Sequence, residues 1–287
     1  MRRFATCVGR RLCVFWLASL GLAGLGCKPS PETRLKAVVG AVFIDGTGGA
    51  PVSQSVIVIA GARIRAVGPR TAVPVPASAE LTDGSGRFVV PALIDLDARE
   101  DHTATSLRGL LPLSKSAEVA ARDVTTLAEV EAAVRAGAKF LRGMIEDTED
   151  WDVAFAHRLR DLRVVFAPRL ALRSGRSLEV ALRNTRRLHQ AGVAIAVASG
   201  STSGANTLRE LELLAEAGLT PMEILVAATR HGAQAAGLSA MCGTLEVGKQ
   251  ANLLVLKANP LENIRHLRAI ERVMRNGEWV AADNRPG

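Results

Sequence analysis

Residues 177–198 read SLEVALRNTRRLHQAGVAIAVA, and this stretch decides the fold class. Ser177 to Ala191 places apolar residues at helical spacing, and Gly192 supplies the left-handed stop with which helices commonly end. Val193-Ala194-Ile195-Ala196-Val197-Ala198 then runs on without a polar residue. Such a run suits a parallel strand buried on both faces, so the predicted unit is a helix feeding a strand of an α/β protein.

The same grammar extends both ways. Upstream, Thr126-Leu127-Ala128-Glu129 forms a capping box for a helix that ends at Gly137, with Ala138 to Leu141 as the next strand. Downstream, Asn206 is read as the cap of a helix that stops at Gly218. Thr220-Pro221-Met222-Glu223 then combines a cap, a first-turn Pro and a box-forming Glu for another helix.

Further out the pattern turns to short strands. Ala37 to Ile44 reads as one strand-like run, and Ser55 to Ile59, a turn at Ala60-Gly61 and Arg63 to Val67 form a hairpin. Asp45-Gly46-Thr47-Gly48-Gly49 is a turn rather than a phosphate loop, because no Lys-Ser/Thr follows it. Leu253 to Leu256 and Ile270 to Arg275 are strands again, with an Asn276-Gly277 hairpin turn before Glu278-Trp279-Val280. Strands at both ends around an α/β middle predict a composite β-domain, residues 36–90 plus 243–282, with the α/β unit 91–242 inserted into it.

The first 27 residues read as an address. Arg2, Arg3, Arg10 and Arg11 precede an uncharged run from Leu12 to Gly26, about 15 residues and therefore short of a membrane-spanning helix. Small residues before Cys27 resemble a bacterial lipobox, with Gly24 where that motif usually has Leu. The expectation is a signal peptide over 1–27, lipidation at Cys27, a Pro-rich linker over 28–35, and a bacterial membrane lipoprotein facing the periplasm or cell exterior. Without the four leader arginines, 32 basic residues face 28 acidic ones, and the formal charge falls from +8 to +4. That balance is too mild to suggest nucleic acid as a partner. Cys242 would be the one thiol left beside the anchor, so no internal disulfide is expected.

Three segments together are similar to one family. Val89-Val90-Pro91-Ala92-Leu93-Ile94-Asp95 resembles the strand that opens the barrel of the metal-dependent amidohydrolases. Glu210 to Glu223 resembles the helical pair after the last barrel strand in the imidazolonepropionase-like branch. Gly243 to Asn252, with Asn259-Pro260-Leu261, resembles that branch's return into its β-domain. The resemblance implies a (β/α) TIM-type barrel inserted into a small composite β-sandwich formed by both ends of the chain. It also implies hydrolysis of carbon–nitrogen bonds with divalent metals. Pro91 to Ala240 is only 150 residues, however, against roughly 250 for a complete barrel, so an incomplete barrel lacking its second to fourth strands is expected. Its open sheet edges would need cover, from Leu107 to Leu113 or from another copy of the chain.

The family's functional positions fall on unsuitable residues. Its His-x-His corresponds to Asp97 and Arg99, its next metal position to Arg122, the His of the following strand to Gly143, and the catalytic Asp to Gly200. No cofactor is therefore expected, and the resemblance implies a degenerate noncatalytic member. Asp97 and Arg99, two apart on a strand, are expected to pair where a metal would sit. The alternative is a hydrolase with a rearranged zinc site built from Asp97, Asp101 and His102. Ser201, Thr202 and Ser203, after the last barrel strand, are candidates for an anion-binding loop. His157, His189, His231 and His266 lack paired spacing and are read as ordinary histidines.

Overall fold

The computed structural model describes residues 34–97, 122–124, 126–143, 152–200 and 204–280, which belong to a single compact unit. The leader, Cys27 and Leu107 to Leu113 lie outside the described residues.

The N-terminal part supplies β1 (Leu35–Val39), β2 (Val42–Phe43), β3 (Ser55–Ala60), β4 (Arg63–Pro69), β5 (Glu80–Asp83) and β6 (Phe88–Pro91). The run from Ala37 to Ile44 is not one strand. Gly40 takes φ +88°, a conformation open to glycine, and there the chain crosses from the sheet β4-β3-β1-β5 to a second sheet containing β2 and β6.

The middle forms β7 (Arg122–Val124), α1 (Leu127–Arg135), β8 (Phe140–Gly143), α2 (Val153–Asp161), β9 (Val165–Ala167), α3 (Gly175–Gln190), β10 (Ala194–Ile195) and α4 (Gly204–Glu216). It ends with α5 (Pro221–Val226), a π-helical turn at Ala227–His231 and α6 (Gly232–Ala235). Both capping boxes, Thr126 with Glu129 and Thr220 with Glu223, are formed. Asn206 does not cap its helix. The helix already runs from Gly204, where the buried face Thr207, Glu210, Leu211 and Leu214 needs its first turn, so Asn206 sits inside that turn.

The parallel sheet has the order β10-β9-β8-β7, and just past β10 the Leu96 N–H donates to the Val197 carbonyl at 2.9 Å. The described strands do not close a barrel. Their side chains alternate: Phe140, Val165, Ala167, Ala196 and Ala198 share an inner cluster with Ile94 and Leu96. Leu141, Phe166, Ile195 and Val197 face the helices instead. Both faces are buried, as an apolar parallel strand requires.

β11 (Leu253–Leu256), β12 (Ile270–Arg275) and β13 (Glu278–Trp279) complete the second sheet, in the order β13-β12-β11-β6-β2. β11 pairs antiparallel with β6, Leu253 opposite Pro91 and Leu256 opposite Phe88. Its residues divide by parity. Leu253 and Val255 join Val38, Ile57 and Ile59 in the sandwich core, while Leu254 and Leu256 join Leu211, Leu214 and Leu267 on the barrel side. No helix among the described residues is long and apolar enough to cross a membrane.

Leu254 is fully buried, so Leu254→Ala should lower unfolding stability in urea by about 2–5 kcal/mol. Leu81→Ala, at a side chain 64% exposed on β5, should stay within roughly 0.5 kcal/mol of the parent.

Candidate functional site

The C-terminal ends of the parallel strands converge on Asp97, as the active sites of barrels do at that face. The Asp97 side chain is 6% exposed and accepts four hydrogen bonds. Arg169 donates through Nε to Oδ2 at 2.8 Å and through Nη2 to Oδ1 at 2.9 Å, in the bidentate geometry that a guanidinium favours. Arg142 Nη1 donates to Oδ1 at 2.7 Å, and the Gly200 N–H to Oδ2 at 3.0 Å. Asp123, exposed in the middle of β7, accepts from Arg142 Nη2 at 2.9 Å and lies 3.3 Å from Arg169 Nη1. Two carboxylates thus face two guanidinium groups. Burial pushes the Asp97 carboxyl up, but the Arg169 hydrogen bonds and the charges of Arg169 and Arg142 outweigh it and hold the group below its ordinary range.

A second layer fixes this arrangement. Asp95 is fully buried; its Oδ1 accepts from the N–H groups of Asp97 and Ser199, at 3.0 and 3.1 Å, and its Oδ2 from the Thr207 hydroxyl at 2.7 Å. One turn along α4, Glu210 is also fully buried and accepts from the N–H groups of Leu170 and Ala171, at 3.0 and 2.6 Å. Those two residues open the short 3₁₀ turn Leu170–Leu172, and Arg169 precedes it at φ +52°. Glu210 therefore holds the turn that aims Arg169 at Asp97. Burial, outweighing its two N–H donors, raises the Glu210 carboxyl from 4.5 to about 8.

The residues singled out from the sequence separate. Gly200 joins the site through its N–H. Its φ is +69°, and a Cβ there would lie 2.3 Å from Leu172 Cδ1. Gly143 does not face the inner side. A Cβ on it would meet the Phe166 ring on the helix side, and the inward position at the end of β8 belongs to Arg142, one residue earlier. Arg122 lies in β7. Arg99, Asp101, His102, Ser201, Thr202 and Ser203 lie outside the described residues, and so does the expected pairing of Asp97 with Arg99. Asp97 itself stands in a turn, so strand alternation cannot be carried from it to Arg99. Sequence reasoning missed Arg142, Arg169, Asp123 and Glu210. Strand parity would have found Arg142, whereas nothing in the sequence marked the other three.

At the opposite ends of the strands, a cleft of about 490 Å³ is lined in part by His189, Glu223, Arg230 and His231. His231 Nδ1 lies 2.9 Å from the Ile195 carbonyl, and burial lowers the pKa of the ring.

The architecture defines an α/β-barrel-type protein with a composite β-domain and a charged cluster at the C-terminal ends of its strands. Residues 139–280 match the family described as the amidohydrolase family, and the chain belongs to it. The imidazolonepropionase of Brevibacillus brevis is 29% identical over 110 residues, 36% of this chain and 26% of that protein. The ochratoxinase of Aspergillus niger is 34% identical over 94 residues, 31% of this chain and 20% of that enzyme. The matched segment thus spans about a quarter or less of the length of these curated relatives. Among solved structures, molinate hydrolase superposes with a TM-score of 0.71 at 14% identity, covering 88% of this chain and 95% of that one, which is a likeness of fold.

Two predictions follow the charges. Asp97→Ala should destabilise the fold by roughly 3–5 kcal/mol in urea unfolding, because it leaves two largely buried guanidinium groups with only the exposed Asp123 carboxylate as a charge partner. Replacing Asp97, Arg142 and Arg169 together with leucine should cost clearly less; equal losses would remove the charge-pairing account. For Glu210, the folded pKa lies above the unfolded value, so its contribution to stability is fully present below pH 4.5 and is lost as pH rises through about 8. Unfolding free energies measured from pH 5 to 9 should therefore fall more steeply for the parent than for Glu210→Gln, and parallel profiles would contradict this.

Proposed function

We propose that this chain is a noncatalytic amidohydrolase-family protein, tethered to a bacterial membrane by lipid on Cys27, with a binding or structural role. The observation that carries this reading is the saturation of the Asp97 carboxylate by Arg169, Arg142 and the Gly200 N–H. Metal-dependent hydrolysis needs about three protein ligands and an open coordination position for the water it activates. The residues present do not fit such an ion. Asp97 has its lone pairs engaged, Gly200 offers no side chain, and the inward residue at the end of β8 is an arginine. Among the described residues, no three of His, Cys, Asp and Glu gather as metal ligands. Two guanidinium groups also repel a cation, by about 4 kcal/mol per pair of unit charges at 4 Å and an effective dielectric of 20.

The imidazolonepropionase and ochratoxinase relatives are named for hydrolytic activities, and this chain is proposed to keep their architecture without that chemistry. A site of paired charges with no vacant coordination serves to hold strand ends together, which suits a scaffold.

Residues 28–287, purified without chelator and dialysed against zinc, should retain far less than one metal ion per chain by elemental mass spectrometry. They should also leave a panel of amides, ureas and cyclic imides intact. Stoichiometric metal, or turnover abolished by a chelator, would overturn the noncatalytic reading. The anchor is tested separately, by the mass of the full chain extracted from bacterial membranes, which should show a diacylglyceryl-modified Cys27.

A further inference from the structure

The cleft at the N-terminal ends of the strands is built from both parts of the protein. The loop after β2 supplies Thr47, the end of α3 His189, the start of β10 Ile195, and α5 with the π-helical turn Met222, Arg230 and His231. Ligand pockets form preferentially at such junctions, and about 490 Å³ lies in the range of small-molecule sites. Its polar groups divide into those already engaged and those left over. Glu223 Oε2 accepts from the Thr220 N–H and hydroxyl at 2.8 and 2.7 Å, and its Oε1 lies 3.3 Å from His189 Nε2. Glu246, within electrostatic reach of Arg230, is engaged by Lys249 and by the Thr244 hydroxyl. Arg230 keeps spare donors. Its Nη1 donates to the Thr47 carbonyl at 2.7 Å, which positions the guanidinium, while the Nε–Nη2 edge has no partner among the described residues. On His231, Nδ1 carries the hydrogen, because the Ile195 carbonyl can only accept, and burial opposes a second proton on the ring. Nε2 is then a lone-pair acceptor, and it too has no partner among the described residues. Arg230 and His231 both come from the π-helical turn, a rare distortion that occurs frequently at functional sites. Much of the remaining wall is apolar, including Leu219, Met222 and Val226.

We propose that this cleft binds a small aromatic carboxylic acid that also carries an N–H or O–H donor. The carboxylate takes the Nε–Nη2 edge of Arg230, whose two N–H groups match it in a bidentate fork. The ligand's own donor meets His231 Nε2, and its ring lies against the apolar wall, where the Met222 thioether makes a favourable aromatic contact. A cationic ligand would find the Glu223 and Glu246 carboxylates engaged and an arginine beside it. A phosphate would find one guanidinium for a nearly double charge. The inference rests on the noncatalytic reading only in giving its binding role a place and a ligand class, at the strand ends opposite Asp97.

The test titrates indole-3-propionate into unlipidated residues 28–287, which include the whole described unit, by calorimetry. It should bind one to one with a Kd below about 1 mM. The methyl ester of the probe, which lacks the charge, should bind about tenfold or more weakly, and so should the acid to Arg230→Gln. In that variant, esterification should cost nothing further. Methylating the indole nitrogen should cost about fivefold in the parent and nothing in His231→Asn. That variant's amide can keep the bond to the Ile195 carbonyl but offers no acceptor at the Nε2 position. Arg65→Gln, an equal loss of charge on the exposed side of β4, should bind as the parent does. No saturable binding up to about 1 mM, equal affinity for acid and ester, or the same cost of methylation in parent and His231→Asn would each overturn the assignment. Each titration is repeated with a chelator. Unchanged affinity there keeps the cleft standing even if stoichiometric metal and turnover overturn the noncatalytic reading, whereas affinity lost with the metal removes the cleft as the probe's site.

Discussion

The pairing of β6 with β11 is the constraint on which the rest of the structure depends. Residues 88–91 and 253–256 meet in register across more than 160 residues of intervening chain. Because strand side chains alternate, that single ladder presents Leu253 and Val255 to one core and Leu254 and Leu256 to the other. The sheet is therefore a common wall, and a slip of one residue would turn both apolar sets the wrong way. Closing so long a loop is unfavourable before the contacts form, so the two cores reward it together.

The charged cluster follows a similar logic on a smaller scale. Asp95, Asp97 and Glu210 are carboxyl groups in or near the interior; each is met by backbone N–H groups, and Asp95 and Asp97 by side chains as well. With the Asp123 contacts these bonds tie the Asp95–Asp97 turn, β7, the ends of β8, β9 and β10, and α4. Buried charge is tolerated only when paired, and here the pairing spans the ends of short strands of two to four residues. The cluster thus stiffens the end of an open sheet, where a closed barrel would have relied on continuous strand pairing.

Much of the architecture was legible in the sequence because its signals are local. Thr126 and Thr220 with their glutamates, Gly192, and Asn276-Gly277 each name a helix end or a turn through the chemistry of a few neighbouring atoms. Gly40 was harder, since a glycine inside an apolar run looks the same whether the strand continues or crosses to another sheet. The site was least legible. At the end of β8 the choice between Arg142 and Gly143 as the inward residue depends on parity, and the structure turns Arg142 to Asp97 and Gly143 to Phe166. Arg169 and Glu210 meet through a turn and a distant helix, a pairing that no local spacing encodes.

The fit around Gly200 bears on which substitutions this site can accept. Its hydrogen sits where a side chain would press on Leu172, its backbone takes a left-handed conformation, and its N–H is committed to Asp97. A carboxylate introduced there by one substitution would have to displace Leu172 and stand beside an existing anion. Arg142 and Arg169 would still fill the adjoining space. Several groups would therefore have to change together before a new side chain could be seated at this position, so the packing around one glycine locks the identities of its neighbours.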